Sequence, residues 1–454
     1  MNGPSLHQRA KELTPAWWAS ALRGAAGPLI GVVLALLLHR LAAPLIDQVI
    51  PPYGEYGARV LIDIGINIIL AVSLTMVNGF TGQFSIGHAG FMAVGAYAGA
   101  AVIYYGSFHF YGSAALHGGF ISVINPAHPP AAYRGLFVDS GDLLFLAGCL
   151  VGGLAAALAG LVVGLPSLRL RGDYLAIVTL GFGEIVRVLL QQTKDVVTDP
   201  AAVHAMPCWQ LAQHLGGPLG FSDLPLYTTL FWVFLFVTVT LLAAYRLKTS
   251  TFGRAFIAIR EDPIAAEAVG IPTTRFKVAA FVIAAFFAGI AGVLFAHKSG
   301  TLLTPGDLGF QRSFDIVIMV VLGGMGSVSG AALAAILLTV LPELLRSPPH
   351  LYALGLAAIV LILLLRRRRG IRAALVVAAV TCLWEAAKYL TETWGINLAD
   401  YRMVIYALWL ILTMILRPRG LLGLHEIWDL PRRRTNHTEG PGPNSGADPG
   451  RAAL

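Results

Sequence analysis

The chain has 454 residues, of which 56% are hydrophobic and 12% charged, with a formal net charge of +8. A soluble domain carries about 25% charged residues, so a water-soluble class is excluded. Many apolar runs reach the roughly 18 residues needed to cross a bilayer, and none alternates like a barrel strand, so the expected fold is an all-α polytopic transmembrane helical bundle.

In chain order, residues 1–24 carry Arg9, Lys11 and Arg23 ahead of the first apolar run, 28–50. That run is long and begins late, so it predicts a first span starting in the cytoplasm and not a cleaved signal. Further apolar segments are predicted at 59–77, 87–105, 143–165, 174–191, 227–245, 278–295, 314–323, 331–345, 352–365, 371–390 and 403–416. This gives about 10–12 spans, the shorter ones read as broken or re-entrant. Segment 106–142 has Arg134 and no Lys, which fits the outer face. Arg169, Arg171, the cluster Arg366–Arg369, Arg417 and Arg419 all fall on the other side, so both termini are predicted cytoplasmic. The positive charge thus follows membrane topology and implies no nucleic-acid partner. Cys149, Cys208 and Cys382 are isolated and form neither a disulfide framework nor a metal motif. The domain reading is a cytoplasmic segment 1–24, a transmembrane core 25–346 with a polar region 246–277, a helix pair 347–399, a final span 400–423 and a disordered cytoplasmic tail 424–454.

Between the spans ending near 77 and starting near 87 runs an uncharged, glycine-rich stretch from Asn78 to Gly90. Irregular backbone at membrane depth survives only when buried in protein or lining a cavity. Close helix packing through Gly87, Gly90, Gly95 and Gly99 is one reading. A transport pathway bordered by Gln83, Ser85 and His88 is the other. A second break, 323–330, holds Gly323, Gly326 and Ser329. The spacing of Gly79, Gly82 and Ser85 is repeated there, an echo consistent with an internal repeat.

The island 246–277 holds the basic residues Arg246, Lys248, Arg254, Arg260, Arg275 and Lys277 against Glu261, Asp262 and Glu267. Asp262 followed by Pro263 reads as an N-cap with proline at the first helical position, and Gly270 as the stop. Ser250 or Thr251 is placed to cap a preceding helix on which Phe252, Phe256 and Ile259 share a face. Two roles fit: a helix lying on lipid headgroups, or a lever worked by a soluble ATPase. The chain has no Gly-Lys-Ser or Gly-Lys-Thr, so any ATP-Mg would be bound by a partner, and no catalytic constellation marks an enzyme. Within the spans, Asp63 and Asn67 share a face, and Glu184–Arg187 and Arg312–Asp315 are spaced i,i+3. Membrane charges usually pair or face water, so local pairing and a proton relay through Asp63 or Glu184 are both open.

The segment 78–96 (NGFTGQFSIGHAGFMAVGA) resembles the signature of M-type branched-chain amino acid ABC transporter permeases. The blocks 165–187, 253–271, 313–330 and 401–423 resemble the same family. The resemblance implies an inner-membrane importer subunit working with a companion permease, two cytosolic ABC ATPases and an external solute-binding protein. It implies ATPase coupling through Arg254, Arg260, Glu261, Asp262, Ala265, Ala266, Glu267 and Gly270, where 264–270 keeps the spacing of the permease EAA motif with Ile264 in place of its glutamate. It also implies no cofactor in this chain. Two departures stand out: residues 197–202 replace a Thr-Gly-Gly-rich outer stretch, and 347–399 is inserted before the final span. A urea or short-amide ABC permease and a proton-coupled secondary transporter are the alternatives.

Overall fold

The computed structural model describes residues 54–122, 136–167, 173–298 and 302–346, with isolated positions at 31, 33, 35, 36, 404, 407, 408, 411, 415, 420–423 and 426. The segment 1–24, the inserted pair 347–399 and nearly all of the first span, the final span and the tail lie outside the described residues, as do Arg134, Arg169 and Arg171. The helices are α1 (Gly54–Asn78), α2 (His88–Tyr111), α3 (Ser140–Ser167), α4 (Asp173–Gln191), α5 (Pro200–Ala205), α6 (Cys208–Leu211), α7 (Leu230–Thr249), α8 (Thr251–Glu261), α9 (Pro263–Ala268), α10 (Thr273–Ala296), α11 (Phe310–Gly323) and α12 (Val328–Arg346). Among the described residues, β structure is confined to the isolated bridges Phe221–Leu303 and Thr228–Lys298. The fold is an all-α polytopic bundle, and six described helices, α1, α2, α3, α4, α7 and α10, are long and apolar enough to cross a membrane.

Hydropathy places these helices well but not their ends. Helix α10 starts at Thr273, ahead of the expected 278, because Pro272 starts the helix and Arg275 and Lys277 simply extend it beyond the apolar run. Helix α7 starts at Leu230 instead of 227, because the backbone N–H of Thr228 donates to His297 O at 3.1 Å and holds that strand-like turn out of the helix.

The core forms where α10 packs on α2 and α3 and α1 packs on α10, α12 and α7. Small residues allow the closest approaches. A Cβ on Gly95 of α2 would lie 2.2 Å from Gly289 Cα of α10, and one on Gly99 would lie 2.4 Å from a Val293 methyl. A Cβ on Gly87 would strike Thr179 O at 2.0 Å and one on Gly90 would strike Gly183 Cα at 2.8 Å. All four glycines therefore pack helix against neighbour, as small-residue membrane interfaces do. By contrast, α3 shows Leu146, Leu150, Leu154 and Leu158 on one open face, an apolar stripe suited to lipid or to another membrane subunit.

The helix ends sort into two groups. The ends of α1, α7 and α11 and the starts of α10 and α12 gather around α8 and α9, here called the island end. At the opposite end, polar loops close over the bundle. Buried Asp142 accepts from Gly119 N and Asp139 N, each at 2.8 Å, and from Ser122 Oγ. Trp232 Nε1 donates to the same Ser122 hydroxyl at 2.9 Å.

Gly95→Val should force α2 and α10 apart, at a cost of about 1–3 kcal/mol or more because the clash is with backbone. Detergent-solubilised protein followed by size-exclusion chromatography and thermal unfolding should show lower yield and a lower Tm than wild type.

Candidate functional site

The first break begins where α1 stops. Asn78 Nδ2 donates to Ser85 O at 3.3 Å, and Ser85 N donates to Asn78 Oδ1 at 3.1 Å. This two-way clasp closes the loop and satisfies backbone groups that a helix would otherwise satisfy. Residues 82–87 form neither helix nor strand, and within them Gln83 and Ser85 are buried while Gly82 and Phe84 are exposed. Thr81 Oγ1 lies 3.1 Å from Gln83 Oε1. Ile86 N donates to Thr179 Oγ1 at 3.1 Å and Ala89 N donates to Ser313 Oγ at 3.3 Å, which ties the break to α4 and α11. His88 is buried with its Nε2 2.7 Å from Ser73 Oγ, one side chain up α1.

The second break is 324–327, shorter than the expected 323–330, because Gly323 ends α11 and α12 already begins at Val328. Gly324 and Gly326 have φ of +106° and +104°, the left-handed region open to glycine. The backbone turns here because Glu426, from beyond the final span, occupies the start of α12. Its carboxylate accepts from Val328 N at 3.0 Å, Ser329 N at 2.9 Å, Ser327 Oγ at 3.2 Å and Ser329 Oγ. An anion on exposed N–H groups is the favoured partner of a helix N-terminus. Lys248 completes the cluster, with Nζ 2.5 Å from Glu426 Oε1 and 2.8 Å from Gly326 O. Leu421 N donates to Leu322 O at 2.7 Å, extending the grip on the end of α11. Glu426 falls in the tail expected to be disordered, yet it is buried and held.

The two breaks meet. A Cβ on Gly79 would lie 2.6 Å from Gly326 N, so only glycine permits this contact. Arg260 of α8 joins the same junction, its Nη1 donating to Gly79 O at 3.0 Å. All six residues expected along the pathway, Gln83, Ser85, His88, Gly323, Gly326 and Ser329, are buried in this packing.

The island folds as two short helices. Ser250 Oγ accepts from Gly253 N at 3.1 Å and caps α8, and Asp262 Oδ1 accepts from Ile264 N at 2.8 Å and caps α9. Gly270 ends the unit with φ of +87°. Phe256 and Ile259 are buried, but Phe252 is 59% exposed and does not share their inner face. Of the residues expected to touch an ATPase, Arg254, Glu261, Asp262, Ala265, Glu267 and Gly270 are exposed, Ala266 is buried, and Arg260 turns inward to Gly79. Between α8 and the start of α10 lies an apolar groove of about 440 Å³, lined by Phe252, Arg254, Ala255, Ile271, Pro272 and Phe276.

Charges at membrane depth are partly paired. Arg187 Nε donates to Glu184 Oε2 at 2.7 Å, and Glu184 Oε1 accepts from Phe310 N at 3.0 Å, so Glu184 also caps α11. Asp63 pairs with Lys298 at 2.6 Å, a partner missed in the sequence because Lys298 lies just past the apolar run of α10. Arg312 does not bond Asp315; its Nη2 donates to Asn67 Oδ1 at 2.7 Å, and Asn67 Nδ2 donates to Thr339 Oγ1 at 2.7 Å. Both relay candidates, Asp63 and Glu184, are therefore ion-paired in this structure.

The family model described as the permease component of branched-chain amino acid transport systems matches residues 57–365. The chain belongs to this family. Members are transport permeases and not enzymes, which agrees with the bundle and with its buried breaks. The chain is 37% identical over 298 residues to the high-affinity branched-chain amino acid transport system permease protein LivM of Salmonella typhimurium, covering 62% of this chain and 61% of that one. A probable branched-chain amino acid transport permease protein LivM of Methanocaldococcus jannaschii is 25% identical over 315 residues, 66% of this chain and 84% of its own. LivH, the high-affinity branched-chain amino acid transport system permease protein of Salmonella typhimurium, is 35% identical over 109 residues, 24% of this chain and 34% of its own. The match thus spans 61% of the length of the Salmonella LivM protein. No solved structure matches.

Glu426 provides a pH test of the junction. Burial alone would raise its pKa, but hydrogen bonds from Lys248, from Ser329 and from Val328 N outweigh burial and hold it below the ordinary 4.5. A depressed carboxylate contributes stability above its unfolded pKa and loses it as pH falls through the folded value. Glu426→Gln should therefore lower stability at pH 7 by about 1–3 kcal/mol. In thermal unfolding at a series of pH values, the gap to wild type should narrow below pH 4.5.

Proposed function

We propose that this permease is a membrane-spanning subunit of an ATP-driven importer for branched-chain or related amino acids, lying in the cell's inner membrane. Its partners in this reading are a companion permease, two cytosolic ATPases that bind ATP-Mg, and an external solute-binding protein. The likeness to LivM, and the shorter likeness to LivH, support two related permeases working side by side.

One observation carries the reading: the outward face of α8 and α9. Ile264 and Val269 of the island are 69% and 77% exposed, and the same island carries the apolar groove lined by Phe252, Arg254 and Phe276. Exposed apolar surface on a polar knob supports a docking surface. Behind it, two polar tethers run toward the breaks. Arg260 holds Gly79, Gly79 abuts Gly326, and Lys248 holds Gly326 and Glu426. A push on α8 from a closing ATPase pair would thus reach α1, α2, α11 and α12 together and alternate access between the two permeases. The island end is cytoplasmic in this reading, because the basic residues concentrate there.

Two measurements test it. Phe252→Asp should abolish co-purification with the ATPases while the permease itself still elutes as a folded species; retention of the ATPases at wild-type level would refute the docking surface. Sidedness is checked with Val269→Cys in a background carrying Cys208→Ser and Cys382→Ser. An impermeant maleimide should label it in inside-out vesicles and leave it untouched in intact cells, whereas Cys208, exposed at the opposite end, should show the reverse in a separate protein that keeps Cys208 and Val269 and carries only Cys382→Ser.

A further inference from the structure

Helix α11 is amphipathic in an unusual sense. Its inner face, Ser313, Ile316, Val317, Met319, Val320 and Leu322, is buried against the bundle. Its outer face carries Phe310 and Gln311, then Phe314 and Asp315, then Ile318, at helical spacing and at least partly open. Arg312 lies beside this face, with Phe295 below its guanidinium at 5.8 Å. A charged carboxylate in hydrocarbon is costly and usually faces a bundle interior or a water-filled cavity, which favours a protein- or solvent-facing role for this open face.

The two charges on this helix are left unspent. Arg312 gives one N–H to Asn67, a neutral partner, while its Nε is buried and has no hydrogen-bond partner among the described residues. Asp315 makes no hydrogen bond and no ion pair among the described residues. Neither neighbouring carboxylate forms an ion pair with Arg312, since Asp63 is bound to Lys298 and Glu184 to Arg187, although the charges of Asp63 and Asp307 act on the guanidinium from further off. Arg312 and Asp315 sit one turn apart, close enough to sense each other's charge yet not joined. An open cation–anion pair at this spacing is complementary to a molecule whose anion and cation are held apart by a single carbon atom.

We propose that Arg312 and Asp315 form the zwitterion receptor of the transport pathway, Arg312 taking the solute's α-carboxylate and Asp315 its α-ammonium. The rings of Phe310 and Phe314, whose centroids are 4.7 Å apart, offer the apolar wall for the solute side chain. The Asn67–Thr339 chain fixes the guanidinium from behind, so its remaining donors are pre-aimed. Arginine suits this role because its planar fork matches a carboxylate. The proposal rests on the reading above that the solute is an α-amino acid.

The test uses the full complex in liposomes with companion permease, ATPases and loaded binding protein, measuring leucine carried and ATP hydrolysed together. Arg312→Gln and Asp315→Asn should each lower leucine carried per ATP by about tenfold or more, as expected for loss of a charge-assisted hydrogen bond. Arg312→Lys should lose less. Co-purification with the companion permease at wild-type stoichiometry confirms assembly; a variant that fails to assemble is replaced by the other two in the comparison. If uptake and ATP turnover fall in proportion, or the ratio does not change, the pair is a subunit contact or a structural element and the proposal is wrong. If wild-type complex carries no α-amino acid at all, the amino-acid reading falls first and the proposal with it.

Discussion

Backbone that leaves the helix while buried in protein has no water to turn to, and two such stretches here solve the problem by leaning on each other. The first is closed by the Asn78–Ser85 clasp and the second by the Glu426 carboxylate at the start of α12. They touch at Gly79 and Gly326, where any side chain would collide with backbone. Three backbone groups at the junction find a charged or hydroxyl partner: Arg260 for Gly79 O, Lys248 for Gly326 O, Ser313 for Ala89 N. The need to satisfy backbone at membrane depth thereby decides which helices must be neighbours.

This has a mechanical consequence. The residues that solve the hydrogen-bond problem come from distant places: α8, the end of α7, and a segment beyond the final span. A junction built this way is stiff locally and connects four spans to one polar knob. The glycine packing of α2 against α10 and α3 makes a second rigid unit, through contacts between backbones and not long side chains. A bundle of rigid units joined at one polar knot is suited to rocking between discrete arrangements rather than bending smoothly.

Electrostatics follows the same logic at the other side of the spans. Lys298 with Asp63, and Arg187 with Glu184, show how the chain neutralises charges it keeps for structure. Arg312 and Asp315 do not follow that pattern, and they lie on the helix face that the chain leaves open. The contrast between paired and unpaired charge, and not charge as such, separates scaffold from candidate site.

The sequence alone determined the class, most span positions, the glycine-rich breaks, and the capped helices of the island, because each depends on local properties: apolar run length, glycine density, Asp262 before Pro263. It also sufficed for the family, since several motifs agree. The tertiary structure decided which residues meet. Nothing local in the chain tells that Gly79 abuts Gly326, that Lys298 reaches Asp63 across 235 positions, or that Glu426 in a polar tail caps α12. Nor could spacing show that Arg260 turns inward while Phe252 turns out. The physical reason is that pairing of buried charge and close approach of backbones are properties of neighbours in space, while hydropathy and capping are properties of neighbours along the chain.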